Sequence, residues 1–91
     1  MKYRRRTEIA ASILQTTKNG PATKTRITYD SYLSFVQTNY YLDYLIEHRL
    51  IRHDKSTNRY SITEKGIKFL STYSKMDDLL PGKPGDKTLQ I

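Results

Sequence analysis

Two punctuation marks set the architecture of this chain. Asn19-Gly20-Pro21 stops a helix, because glycine supplies the left-handed position beyond the last turn and proline cannot continue it. Ser34-Phe35-Val36-Gln37 starts another as a capping box, in which Ser and Gln satisfy two orphan backbone donors reciprocally. The stretch between has room for one short helix and a tight turn. The first half of the chain therefore reads as helix, short helix, longer helix.

The first helix is expected from about Thr7 to Lys18, with Thr7 as N-cap, Glu8 in the first turn, and Ile9, Ala10, Ile13, Leu14 and Thr17 on one face. The second spans about Lys24 to Asp30, capped by Thr23, with Ile27 buried. The third runs from Ser34 to about His48. At about 100° per residue, Phe35, Thr38, Leu42, Leu45 and Ile46 gather on a core side. Val36, Gln37, Tyr40, Tyr44 and Glu47 lie opposite, with Tyr41 on the flank. Leu50 to Asp54, the polar cluster Lys55-Ser56-Thr57-Asn58, and Arg59 to Ile62 read as a short hairpin, with Ile51, His53, Tyr60 and Ile62 turned inward. Thr63 caps a last helix from Glu64 to about Leu80. The Pro/Gly-rich segment from Pro81 onward ends it, and residues 81–91 are expected to be a disordered polar tail.

Ninety-one residues suffice for one domain with one core. With no cysteine there is neither a disulfide framework nor a Cys-based zinc site, and two histidines give a metal cluster little to be built from. No metal or cofactor is expected. No apolar run approaches the roughly 18 residues of a membrane helix, and the basic N-terminus lacks the apolar region of a signal peptide. A soluble, cytoplasmic protein with no membrane partner is the expectation. Neither a Ser/His/Asp or Cys/His set nor a phosphate-cradling glycine loop is present, so the chain does not read as an enzyme and no catalytic residue is assigned.

The charge is unevenly placed. Of the net +7, residues 1–30 hold +5 through Lys2, Arg4, Arg5, Arg6, Lys18, Lys24 and Arg26 against Glu8 and Asp30. The hairpin region 50–63 holds +2 through Arg52, Lys55 and Arg59 against Asp54. A small basic domain points to an anionic partner, nucleic acid before membrane. Arg4, Arg5, Arg6, Lys24, Arg26, Lys55 and Arg59 are the expected phosphate contacts. The third helix has no Lys or Arg at all. Its Ser34, Gln37, Thr38, Tyr40 and Tyr41 are the expected contacts to base edges or phosphates, with shape-based or modest specificity. The outward Val36, Tyr40 and Tyr44 equally suit a protein interface, which is the competing reading.

In the last helix, Ile67 and Leu70 fall on one side and Phe69, Tyr73, Met76 and Leu80 on nearly the opposite one. A helix packed only on its own domain needs a single apolar stripe. The second stripe is therefore expected to bury against a second copy, giving a homodimer through residues 64–80.

Thr7-Glu8-Ile9, the run Tyr41-Leu42-x-x-Leu45-Ile46-x-x-x-Leu50-Ile51, and Tyr60-x-Ile62-Thr63-Glu64-Lys65-Gly66-x-x-Phe69-Leu70 resemble archaeal winged helix-turn-helix transcriptional regulators, including small dimeric chromatin-associated DNA-binding proteins. The resemblance covers about residues 4–80. It implies a mainly α (α+β) winged helix-turn-helix in the order helix, helix, helix, β-hairpin wing, C-terminal helix. It also implies double-stranded DNA as partner, the helix at 34–48 in the major groove, and pairing through the last helix. The domain is then residues 1–80 and the protein a cytoplasmic, nucleoid-associated one. One departure stands out: where such proteins have Gly before the Leu-Ile pair, this chain has Arg49. If that residue takes a left-handed conformation, it costs roughly 1 kcal/mol.

Overall fold

The computed structural model describes residues 5–79; Arg4, Leu80 and the tail 81–91 lie outside the described residues. The elements are α1 (Arg6–Lys18), α2 (Lys24–Asp30), α3 (Phe35–Glu47), β1 (Ile51–Asp54), β2 (Arg59–Ile62) and α4 (Glu64–Leu79). This is the expected order. α1 begins one residue earlier than the sequence reading, with Arg5 rather than Thr7 at the N-cap. Glu8 decides the register: its carboxylate accepts the Arg5 backbone N–H at 2.8 Å, as an N3 acid does. A cap at Thr7 would have put Ala10 at that position, with nothing to accept.

α1 buries Ile9, Ala10, Ile13, Leu14 and Thr17. The Thr17 hydroxyl reaches back to the carbonyls of Ile13 and Leu14 at 3.2 and 3.0 Å, so its burial leaves no polar atom unmatched. Gly20 ends the helix at φ +145°, a backbone that side-chain-bearing residues rarely adopt. Thr23 caps α2 by accepting the Arg26 N–H at 3.2 Å. Ser34 and Gln37 form the capping box of α3, with Gln37 N–H to Ser34 Oγ at 3.1 Å and Ser34 N–H to Gln37 Oε1 at 3.0 Å.

The strands pair antiparallel in the register Ile51↔Ile62, Arg52↔Ser61, His53↔Tyr60, Asp54↔Arg59. An element absent from the sequence reading joins them. Ala22, between α1 and α2, bridges Tyr60 through N–H···O bonds of 2.9 and 2.7 Å. This bridge ties the hairpin to the start of α2. The core formed by Ile13, Leu14, Ile27, Leu42, Leu45, Ile51 and Tyr60 lies beneath.

α3 is buried along a narrower arc than its periodicity implied. Thr38, Leu42 and Leu45 are buried, but Phe35 is 56% exposed and Ile46 sits at the surface. Half-buried Tyr41 and Tyr44 pack against the core instead. The arc has swung toward α1 and α4, and no described element covers the Phe35–Ile46 flank. The last helix also departs from the two-stripe reading. Phe69 and Leu70 both pack on the domain's own core, leaving Ile67 and Met76 as the exposed large apolar residues of α4.

The junction of α3 and β1 accounts for the Thr63-Glu64-Lys65-Gly66 segment. Arg49 takes φ +62°. Its N–H bonds the Ile46 carbonyl, and the Leu50 N–H bonds the Leu45 carbonyl, both at 2.9 Å, which is the Schellman pattern with Arg49 at the left-handed C′ position. Arg49 therefore makes the turn that glycine would make more cheaply. Thr63 Oγ1 donates toward the carbonyls of Arg49 and Leu50 at 2.7 and 3.0 Å and accepts the Gly66 N–H at 3.1 Å. Lys65 Nζ donates to the His48 carbonyl at 2.9 Å, a cation on the negative end of α3. The segment is a clamp that holds α4 to the end of α3.

Candidate nucleic-acid interface

A short helix, a tight turn and a longer capped helix place the N-terminal turns of α3 at the surface. Tyr32 supports that turn with φ +56°. The relation between α2 and α3 is held partly by hydroxyls: Thr38 Oγ1 donates to the Ser34 carbonyl at 2.9 Å and accepts from Thr28 Oγ1 at 2.8 Å. Thr38 is wholly buried. It is thus corrected from a contact residue to a packing one, because its hydroxyl is committed inside the fold.

The other expected residues of this helix divide by how they are held. Ser34 and Gln37 are exposed, but each carries the capping box, and Gln37 Oε1 is already accepting a backbone N–H. Tyr40 is 53% exposed. Its ring lies parallel to that of Tyr44, with centroids 6.4 Å apart, and edge-on to Tyr41 at 5.2 Å. Tyr41 is half-buried and serves mainly as its support. Val36, 79% exposed, and Phe35 were not among the expected contacts, yet they form the most open apolar surface of the first turn. Asn39 is also exposed and was overlooked, because it lies on the flank of the helix rather than at the centre of its outward stripe. The absence of Lys and Arg from α3 was the sequence signal that could have drawn attention to these three.

The basic residues occupy two places. Arg5 caps α1, and Arg6, in its first turn, sets its guanidinium carbon 5.5 Å from the Tyr44 ring centroid. Hydrogen bonding to Tyr44 first, then the neighbouring Tyr40, raises the Arg6 pKa further above its ordinary range. Arg6 and the tyrosine row of α3, which continues from Tyr44 to His48 at 4.6 Å, are therefore one surface. Lys24 is half-buried at the start of α2, and Arg26 is exposed with Nε bonded to Asp30 Oδ2 at 2.8 Å.

The second place is the wing. Lys55 and Arg59 are exposed at its tip. Asp54 shapes the turn by accepting from the Ser56 hydroxyl and backbone N–H at 2.7 and 2.9 Å, and these bonds hold its pKa below the usual carboxylate value. Asn58 adopts φ +57°, and its Oδ1 lies 3.0 Å from His53 Nε2. The His53 ring stacks on Tyr60 at 4.4 Å, fixing the hairpin against the buried tyrosine. A hairpin stiffened in this way presents Lys55 and Arg59 with little freedom. Among the described residues no cluster of His, Cys, Asp or Glu could hold a metal ion, and no helix is long and apolar enough to cross a membrane.

Comparison with known proteins follows this geometry closely. A family model described as winged helix-turn-helix matches residues 3–80. An uncharacterized protein of Methanocaldococcus jannaschii is 31% identical over 77 residues, covering 85% of this chain and 77% of the relative. Among solved structures, Sso10a-2, a DNA-binding protein from Sulfolobus solfataricus, superposes with a TM-score of 0.62 at 26% identity, over 88% of this chain and 100% of the other. ZitR from Lactococcus lactis shares the fold, with a TM-score of 0.58 at 21% identity, over 86% of this chain and 62% of its own.

Proposed function

This chain belongs to the winged helix-turn-helix family, and on that premise we propose that it binds double-stranded DNA as a transcriptional regulator or nucleoid-associated protein of the cytoplasm. α3 enters the major groove, with Ser34, Gln37 and Tyr40 at its leading end. Arg5 and Arg6 with the preceding Arg4, Lys24 and Arg26 of α2, and Lys55 and Arg59 of the wing neutralise phosphates. The observation that carries the reading is the contact of Arg6 with Tyr44, which sets a cation of the first turn of α1 against the helix that would enter the groove. The DNA-binding neighbour from Sulfolobus supports the same reading.

Pairing of two copies through α4 belongs to this proposal. Phe69 is spent on the domain's own core, so the seam rests on Tyr73 and Met76 of the expected stripe. Leu80, the fourth residue of the expected stripe, lies outside the described residues.

One observation favours a second reading, a protein-interaction module in a larger assembly: Phe35, Val36 and Tyr40 are exposed together on one end of α3. Salt separates the two. Fluorescence anisotropy on a labelled random-sequence duplex is expected to give sub-micromolar binding at low salt and a steep log–log salt slope, flattened in an Arg4/Arg5/Arg6→Ala variant. Failure to bind at about 50 mM salt, where a domain with several phosphate contacts holds on, would refute DNA binding and favour the interaction module.

A further inference from the structure

We infer that α3 selects A·T-rich duplex by packing Val36, with Phe35 and Tyr40, against thymine methyl groups in the major groove. The inference rests on the DNA-binding reading above and specifies what that surface takes.

The first two turns of α3 set the terms. The helix contains no Lys or Arg, so the best partners for the O6 and N7 acceptors of guanine are missing. Gln37 could donate, but its amide is oriented by the capping box. What the helix does present is apolar: Val36 is 79% exposed, Phe35 56% and Tyr40 53%. Such surface gains free energy only against another apolar surface. Among base edges in the major groove, the apolar group is the C5-methyl of thymine. Asn39, exposed on the flank beside Phe35, offers the donor and acceptor pair that suits adenine N6 and N7. Both bases of an A·T pair are therefore matched, whereas the bidentate cation that guanine favours is missing from the helix. Asp43 and Glu47, the acids on the same face, come in the later turns, away from the N-terminal residues that reach base edges.

The methyl group can be tested by itself. The full chain is titrated, at one low salt concentration, against three labelled duplexes: alternating A·T, alternating G·C, and the A·T duplex with uracil replacing thymine. Uracil keeps the pairing and deletes the methyl. Tightest binding is expected to the thymine duplex. The uracil duplex should bind about fourfold more weakly for each methyl group that α3 would otherwise cover, the factor for one buried carbon. Val36→Ala, at an exposed position that leaves the fold intact by circular dichroism, is expected to bind thymine and uracil duplexes with nearly equal affinity. 5-Methylcytosine, which restores a methyl at the same groove position, is expected to recover part of the affinity on the G·C duplex. Equal wild-type binding to thymine and uracil duplexes would overturn the inference while leaving DNA binding intact. An A·T preference that survives uracil would overturn it in favour of groove shape. No binding to any duplex would overturn it together with the reading on which it rests.

Discussion

Gly66→Ala is the substitution whose outcome most directly tests the α3–α4 clamp. By helix propensity alone, alanine in α4 should stabilise the protein by up to about 1 kcal/mol. The packing reverses the sign. A Cβ at position 66 would lie 2.4 Å from the Leu50 carbonyl oxygen and 2.7 Å from Ile62 Cγ1. The first of these is backbone and is held by the Thr63 N–H at 3.1 Å and the Thr63 hydroxyl at 3.0 Å. Moving α4 outward far enough to relieve the contact stretches both bonds, each worth about 1 kcal/mol net. Overpacking of this kind adds about 1–3 kcal/mol. Set against the propensity gain, the net loss is about 2–4 kcal/mol, a fall of roughly 10–25 °C in Tm for a domain of this size. Urea denaturation followed by circular dichroism should show a lower midpoint at an unchanged slope. Unchanged or increased stability would refute the clamp, because it would mean that α4 can leave the Leu50 turn at no cost.

Three further outcomes follow from the same geometry. Arg49→Gly should raise stability by about 1 kcal/mol, since the left-handed C′ position at φ +62° penalises a side chain and asks for none; a urea melt reads it directly. The lowered pKa of Asp54 means that the stabilisation it gives the wing turn is present above its ordinary value of 3.8 and is lost as pH falls through the lower folded value. The stability difference between wild type and Asp54→Ala should accordingly hold steady from neutral pH to about pH 4 and shrink below it, in urea melts across a pH series. A Met76→Asp substitution, at an exposed position on α4, should leave the melting curve of a dilute sample near that of the wild type but shift sedimentation equilibrium toward monomer; an unchanged mass would count against pairing through this helix.

The element order and nearly every helix boundary were legible in the sequence, because the signals are local. A capping box, a proline stop and a polar hairpin turn act within three or four residues, so the sequence displays both partners side by side. The start of α1 was misplaced because Thr7 has a capping side chain, whereas the deciding bond is donated to Glu8 by the backbone of Arg5, a residue whose type marks no cap. Longer-range features were illegible for a different reason. The bridge between Ala22 and Tyr60, and the hydroxyl pair Thr28–Thr38, join residues whose types carry no mark of one another. Thr38 was consequently read as a base contact when its polarity serves the packing of α2 on α3.

Helix periodicity fails in an instructive way on α3 and α4. It gives the direction of a stripe, but the width of the buried arc is set by which neighbours arrive, and they arrive from the Tyr41–Tyr44 side of α3. Phe35 is thereby left at the surface beside Val36, although an apolar residue on the predicted core side would ordinarily be buried. An exposed Leu or Val standing singly needs no explanation. Here three large side chains are open at one end of a helix that bears no positive charge, while the expected phosphate-binding cations stand on α1, α2 and the wing. In the proposed DNA-binding role, electrostatic attraction and base-edge contact thus fall to different elements of the fold. The division has a consequence for binding: removing arm or wing cations should weaken all duplexes alike and lower the salt slope, whereas changing Val36 should alter the preference among duplexes and leave the slope unchanged.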